Sequence, residues 1–177
     1  MIKKKYIFIF NQLNLQEMAE RICYKGPTIL IVKDTEGNVF GAHASTSWCN
    51  TEGGWVGNGE CFIFSIQPKM AVFHSTGKDE NYQMLTGDLL AMGGRPGDHG
   101  LTLNTDLSQG SSSGSVDTFH TIQLTPATTF EIDHVEVWGL GPEPDLEQER
   151  ENVKPRQNNW ETRGGHVDLD DLESQLM

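Results

Sequence analysis

At 177 residues the chain can bury one sizeable core and needs no second one; 36% hydrophobic content with 19 glycines and 7 prolines suits short elements joined by tight turns. The 25 acidic residues against 13 basic ones give a net charge of −12. That disfavours nucleic-acid phosphates or anionic membrane surfaces as partners, because both require dense Lys and Arg.

The chain opens with Lys3, Lys4 and Lys5 and the apolar run Tyr6 to Phe10, too short for the hydrophobic region of a signal peptide and long enough for a strand. Ile2 after Met1 removes N-myristoylation, and no run approaches the roughly twenty apolar residues that span a bilayer, so a soluble protein is expected. Cys23, Cys49 and Cys61 are too scattered for a zinc knuckle and odd in number, which fits a reducing, cytoplasmic setting.

Residues Asn14 to Cys23 read as an amphipathic helix, with Leu15, Met18, Ala19 and Ile22 on one face. Asn14 and Glu17 have the spacing of a capping box, and Gly26 with Pro27 supplies the stop. Then the pattern turns to strands: Ile29 to Val32 and Val39 to Ala44 flank a turn at Asp34 to Asn38, a hairpin. Further short strands are expected at Cys61 to Ile66, Met70 to His74, Leu89 to Met92, Leu101 to Leu103 and Glu131 to Trp138. Phe62, Phe64 and Ile66 share one face of their strand, and the last strand reads as buried on both sides. There is no internal repeat, and the fold class is mainly β: an antiparallel β-sandwich of two sheets with short flanking helices.

After Gly141 the composition changes. Residues 141–177 hold ten acids against four bases, the pattern of an acidic, extended tail, although Leu169, Leu172 and Leu176 have the spacing of a short docking helix. The expected organisation is an N-terminal segment at 1–12, a domain at 13–140 and the tail at 141–177.

A series of motifs carries a family resemblance. Gly26-Pro27-Thr28-Ile29-Leu30 is followed by Asp34 to Ala42, then Gly57-Asn58-Gly59-Glu60-Cys61-Phe62-Ile63-Phe64 and Thr76-Gly77-Lys78 with Asn81-Tyr82. Leu90 to Gly94, Gly100 to Leu103, Asp106-Leu107, Gly110 to Ser113, Thr118-Phe119 and Val135 to Trp138 continue the order. Together they resemble the TLDc (TBC/LysM-associated domain) family over roughly residues 15–140. The resemblance implies a β-sandwich, protection against oxidative damage, and binding to the vacuolar proton-pumping ATPase, with no established catalytic mechanism. Two positions depart from the family pattern. The Leu-Tyr-Ser and His-Gly motifs that normally precede the helix are absent, so an N-terminally shortened product is expected, and Val116 stands where the family carries a Cys.

Other chemistries find little support. Gly53-Gly54, Gly57-x-Gly59 and Gly93-Gly94 lack the spacing of a dinucleotide fingerprint and read as turn glycines. His43, His74, His99, His120 and His134 show no metal-ligand spacing, so neither metal nor cofactor is expected. Ser111 to Ser115 with Asp117 and His120 lacks a nucleophile elbow and reads as a loop. Cys61 beside Phe62 and Phe64 is expected to be buried and inert, and Glu60 to cap turn amides or meet a partner. The reading that results is a non-catalytic, monomeric binding module, cytoplasmic and at endolysosomal or mitochondrial surfaces. Its partner site lies in polar loops bearing Gly57, Gly59, Glu60, Lys78, Asn81, Arg95, Asp98 and His99. A thiol-dependent antioxidant enzyme acting through Cys61 or Cys23, or a truncated product without independent function, are the alternatives.

Overall fold

A computed structural model describes residues 4–10 by their backbone, and residues 14–114 and 116–157 in full. The N-terminal helix forms as its sequence dictates. α1 (Leu15–Ile22) buries Leu15, Met18 and Ile22 and is closed by a complete capping box. The Asn14 side chain accepts from Glu17 N at 2.9 Å, and the Glu17 carboxylate accepts from Asn14 N at 3.2 Å. The helix stops ahead of Gly26: Cys23 is extended and Tyr24 takes the left-handed conformation, φ 59°. Asn14→Ala leaves the Glu17 amide without its side-chain acceptor and lowers stability by about 1 kcal/mol, measurable by urea unfolding.

Among the described residues, ten strands follow an antiparallel scheme. β1 (Lys4–Phe10) pairs with β10 (Thr129–Leu140), and β2 (Thr28–Asp34) and β3 (Val39–Ala44) form the expected hairpin. Its turn is organised by Asp34, whose carboxylate accepts from Asn38 N at 2.7 Å, Glu36 N at 3.0 Å and Asn38 Nδ2 at 2.6 Å. β4 (Phe62–Gln67) and β5 (Ala71–His74) extend this wing, while β6 (Gln83–Leu85), β7 (Leu89–Met92), β8 (Leu101–Asn104) and β9 (Gln109–Ser111) make the other.

The hydrogen bonds run in one path, β5-β4-β3-β2-β10-β9-β8-β7-β6, rather than as two separately paired sheets. β10 joins the wings. Its residues Thr129 to Glu131 pair with β9, and from Ile132 onward it pairs with β2 on one side and, from Val135, with β1 on the other. One core cluster draws on both wings: Leu30, Val32, Phe40 and Ile63 pack in it with Leu90, Met92, Leu101 and Leu103, and α1 contributes Leu15, Met18 and Ile22.

The alternation in β4 corrects a detail of burial. Phe62 and Phe64 are only half-buried and Ile66 is exposed, whereas Cys61, Ile63 and Ser65 face the core. Cys61 is therefore buried because it sits on the opposite parity from the phenylalanines, not because it shares their face. The closing strand is likewise one-sided: Phe130, Val135 and Val137 are buried, while Ile132, Glu136 and Trp138 are half-buried.

Beyond Gly141, α2 (Leu146–Asn152) is capped by Asp145, which accepts from Gln148 N at 3.0 Å, and it buries no residue. Polar contacts hold it. Lys25 meets Glu143, Ser47 donates to Glu149, and the Arg150 guanidinium lies 5.4 Å from the Tyr24 ring centroid. The expected helix at Leu169, Leu172 and Leu176 falls outside the described residues. No helix among the described residues is long and apolar enough to cross a membrane.

Candidate partner-binding surface

Three loops converge beside the β4–β5 and β6–β7 hairpins. The first is pinned from below: Gly57 has φ 91°, and a Cβ there would lie 2.8 Å from Gln83 Oε1 and 3.0 Å from Cys61 Sγ. Asn58 closes the turn by accepting from Glu60 N at 2.9 Å, while the Glu60 carbonyl lies 2.8 Å from His43 Nδ1. Gly59 and Glu60 are left exposed.

The second and third loops are tied through Thr118. Its hydroxyl donates to Asp79 Oδ1 at 2.8 Å and accepts from Gly94 N at 2.9 Å, and Asn81 Nδ2 donates to Gly94 O at 2.8 Å. Thr76 N donates to Thr118 O at 2.9 Å, and Lys78 reaches Asp117 at 3.4 Å. Within the third loop Arg95 and Asp98 exchange backbone hydrogen bonds of 3.2 and 2.9 Å, and Asp98 accepts from the Ser113 hydroxyl.

Of the residues singled out in the sequence, Asn81, Arg95 and Asp98 line one cavity of about 190 Å³ together with Asp79 and Asp117, and Lys78 stands at its margin through Asp117. Gly57 and His99 are buried and act beneath the surface. His99 is held by Gly93 O, 3.1 Å from Nδ1, and by the Trp55 ring at 5.7 Å; burial lowers its pKa against the opposing effects of Gly93 O and Asp98.

Sequence reasoning missed Arg156. Its Nη1 donates to Gly57 O at 3.0 Å and its Nη2 to Glu80 O at 2.8 Å, and its guanidinium sits 5.8 Å from the Tyr82 ring centroid. Trp55 and Arg156 also exchange backbone hydrogen bonds of 2.9 and 2.8 Å. A single base in an acid-rich stretch gives no sign of such a role. Arg156→Ala strips two charge-assisted donors from loop carbonyls; it lowers stability by about 1–2 kcal/mol and speeds amide exchange around residues 57 and 80–82.

The thiols are not exposed on this surface, although Cys61 lies directly beneath the first loop. Burial raises the pKa of Cys61 despite its hydrogen bonds with Ser45. Burial first and the neighbouring Cys49 second push Cys23 up to about 12, and burial raises Cys49 as well. Thiols so shifted hold little thiolate at neutral pH. Iodoacetamide therefore alkylates the native chain slowly at pH 7.5 and quickly once urea unfolds it. Among the described residues no three His, Cys, Asp or Glu side chains are grouped to hold a metal ion.

Trp48 and Trp55, both buried, differ. Trp48 Nε1 donates to Thr28 Oγ1 at 2.9 Å, whereas Trp55 Nε1 has no hydrogen-bond partner among the described residues.

The TLDc domain model matches residues 3–141. The zebrafish (Danio rerio) MTOR-associated protein MEAK7 is 38% identical over 138 residues, 73% of this chain and 30% of the relative. The human protein of that name is 32% identical over 143 residues, 76% of this chain and 31% of the relative. Oxidation resistance protein 1 of Rattus norvegicus is 38% identical over 116 residues, 64% of this chain and 13% of the relative. The chain thus spans under a third of the length of these relatives. With a family model covering most of its length and the family's motifs carried on its loops and strands, the chain belongs to the TLDc domain family.

Proposed function

We propose that this TLDc chain is a non-catalytic protein-binding module with a regulatory role in resistance to oxidative stress, and that its partner is the cytosolic sector of the vacuolar proton-pumping ATPase. The observation that carries the binding role is the three-loop surface, where Asn81, Arg95 and Asp98 line a small cavity with Lys78 at its margin, Asn81 held by Gly94 O, Asp98 by the Ser113 hydroxyl and Lys78 by Asp117. Such loops on a rigid sheet are where recognition usually resides. The regulatory and oxidative parts rest on kinship with an mTOR-associated protein and an oxidation resistance protein, and the ATPase on the family resemblance. A buried Cys61 and a half-buried Cys23, both with raised pKa values, favour binding over a peroxide-consuming enzyme. The same reading takes the two wings as the layers of a sandwich, since residues from both fill one core cluster.

Affinity capture from cytosolic extract with the full chain tests the partner: enrichment of the ATPase's cytosolic subunits, weakened by Arg95→Glu, supports it, and repeated capture without those subunits contradicts it. Peroxide consumption distinguishes the enzyme reading. Equal rates with and without Cys61→Ser are expected.

A further inference from the structure

A second, larger cavity of about 790 Å³ lies on the face of the β6–β9 wing that points away from the core. Its floor follows from strand register. Met84 pairs with Ala91, Ala91 with Thr102, Thr102 with Ser111 and Ser111 with Thr129, a single cross-strand row whose middle members are small. Met84, Thr102, Ser111 and Thr129 of that row line the cavity together with Leu89, Pro96 and Ser113, while Ala91 is fully buried in a cluster with Trp55.

The floor's hydroxyls are already engaged with one another. Thr102 Oγ1 lies 2.6 Å from Ser111 Oγ and accepts from Ser111 N at 3.0 Å, so the floor offers a methyl, a thioether and internally satisfied oxygens. That surface suits an aliphatic stem. Among the described lining residues Asp98 alone carries a formal charge at neutral pH; it accepts from the Ser113 hydroxyl and keeps further lone pairs for a donor. Burial lowers the pKa of His99 beside it, against the opposing effects of Gly93 O and Asp98. Arg95 belongs to the same turn but lines the smaller cavity on its other side. Exposed Glu52 and Asp88 flank the lining residues Gly53 and Leu89, which adds to the negative field at the rim.

We propose that this trough receives an arginine side chain presented by a partner protein, its stem lying across Met84 and Thr102 and its guanidinium bound to the Asp98 carboxylate. A planar guanidinium suits a carboxylate as a two-pronged donor, and a long cationic side chain buries its methylenes while keeping its head polar. The inference goes beyond the partner reading above and does not depend on which protein that partner is.

The test titrates the purified full chain with the blocked peptide acetyl-Gly-Leu-Arg-Leu-Gly-amide, and with the same peptide carrying citrulline or glutamate in place of arginine. Citrulline keeps the shape and loses the charge. The arginine peptide is expected to bind at least about tenfold more tightly than the citrulline peptide and to shift the Met84 methyl resonance while leaving those of core Met18 and Met92 in place. Asp98→Asn is expected to remove the preference. Equal binding of the arginine and citrulline peptides, an arginine preference that survives Asp98→Asn, or no saturable binding would each overturn the proposal. The citrulline comparison needs no variant, so a folding defect in Asp98→Asn does not blunt it, and its outcome is independent of any capture from extract.

Discussion

Phe40→Ala lowers the unfolding free energy by about 3–5 kcal/mol, the largest effect expected of any single change considered for this chain. Phe40 is fully buried near the start of β3, opposite Val32 on one side and Ser65 on the other. Its ring meets Phe130 edge-on, with centroids 4.9 Å apart and planes at 74°. Phe130 sits on the part of β10 that pairs with β9, and its ring covers Gly110, where a Cβ would come within 2.4 Å of Phe130 Cζ. Removing Phe40 therefore opens a cavity where the two wings meet, and forfeits an aromatic contact worth about 0.5–1.5 kcal/mol beyond its area. Phe40→Leu should recover most of the loss. Phe64 supplies the comparison: half-buried on the outer face of β4, it should cost well under half as much when truncated. Urea unfolding that found Phe64→Ala as damaging as Phe40→Ala would contradict this placement of the core.

Gly94→Ala is expected to cost about 3 kcal/mol and to weaken partner binding with it. Two penalties combine at this position. Gly94 has φ 86°, which costs an L-residue about 1–2 kcal/mol, and a Cβ would lie 2.0 Å from Asp98 O and 2.9 Å from His99 Cα. Backbone must therefore move, and it is the backbone to which Thr118 and Asn81 are bonded. Gly97 isolates the first penalty, because it has φ 82° in the same loop with nothing within 4 Å of its Cβ position. Gly97→Ala should cost only about 1 kcal/mol, and thermal unfolding of the pair separates crowding from backbone preference.

Strong local signals made the first half of the chain readable. Asn14 and Glu17 have the spacing that caps a helix, Asp34 to Asn38 separates two apolar runs, and both features take the expected form. β9 was invisible because Gln109, Gly110 and Ser111 offer no apolar alternation; its ladder depends on Gly110 admitting the Phe130 ring, a contact made across about twenty residues of sequence. β6 spans three residues, all buried, with no polar phase to mark a strand in the sequence. The path of strands was also beyond sequence, since it turns on β10 changing partners at Ile132.

The candidate surface was legible in part. Motif order drew attention to the loops, and Asn81, Arg95 and Asp98 do meet, yet the residues that fasten them, Thr118 and Arg156, carry no local pattern. Long-range polar ties are set by tertiary structure, and neither periodicity nor turn grammar encodes them.

Hydrogen exchange of the full chain, alone and with the purified cytosolic sector of the proposed ATPase partner, tests the account most directly. Slowed exchange confined to residues 57–60, 76–82 and 93–99 is the result it predicts. Unchanged exchange in all three loops, or protection confined to the β1–β5 wing, would contradict it.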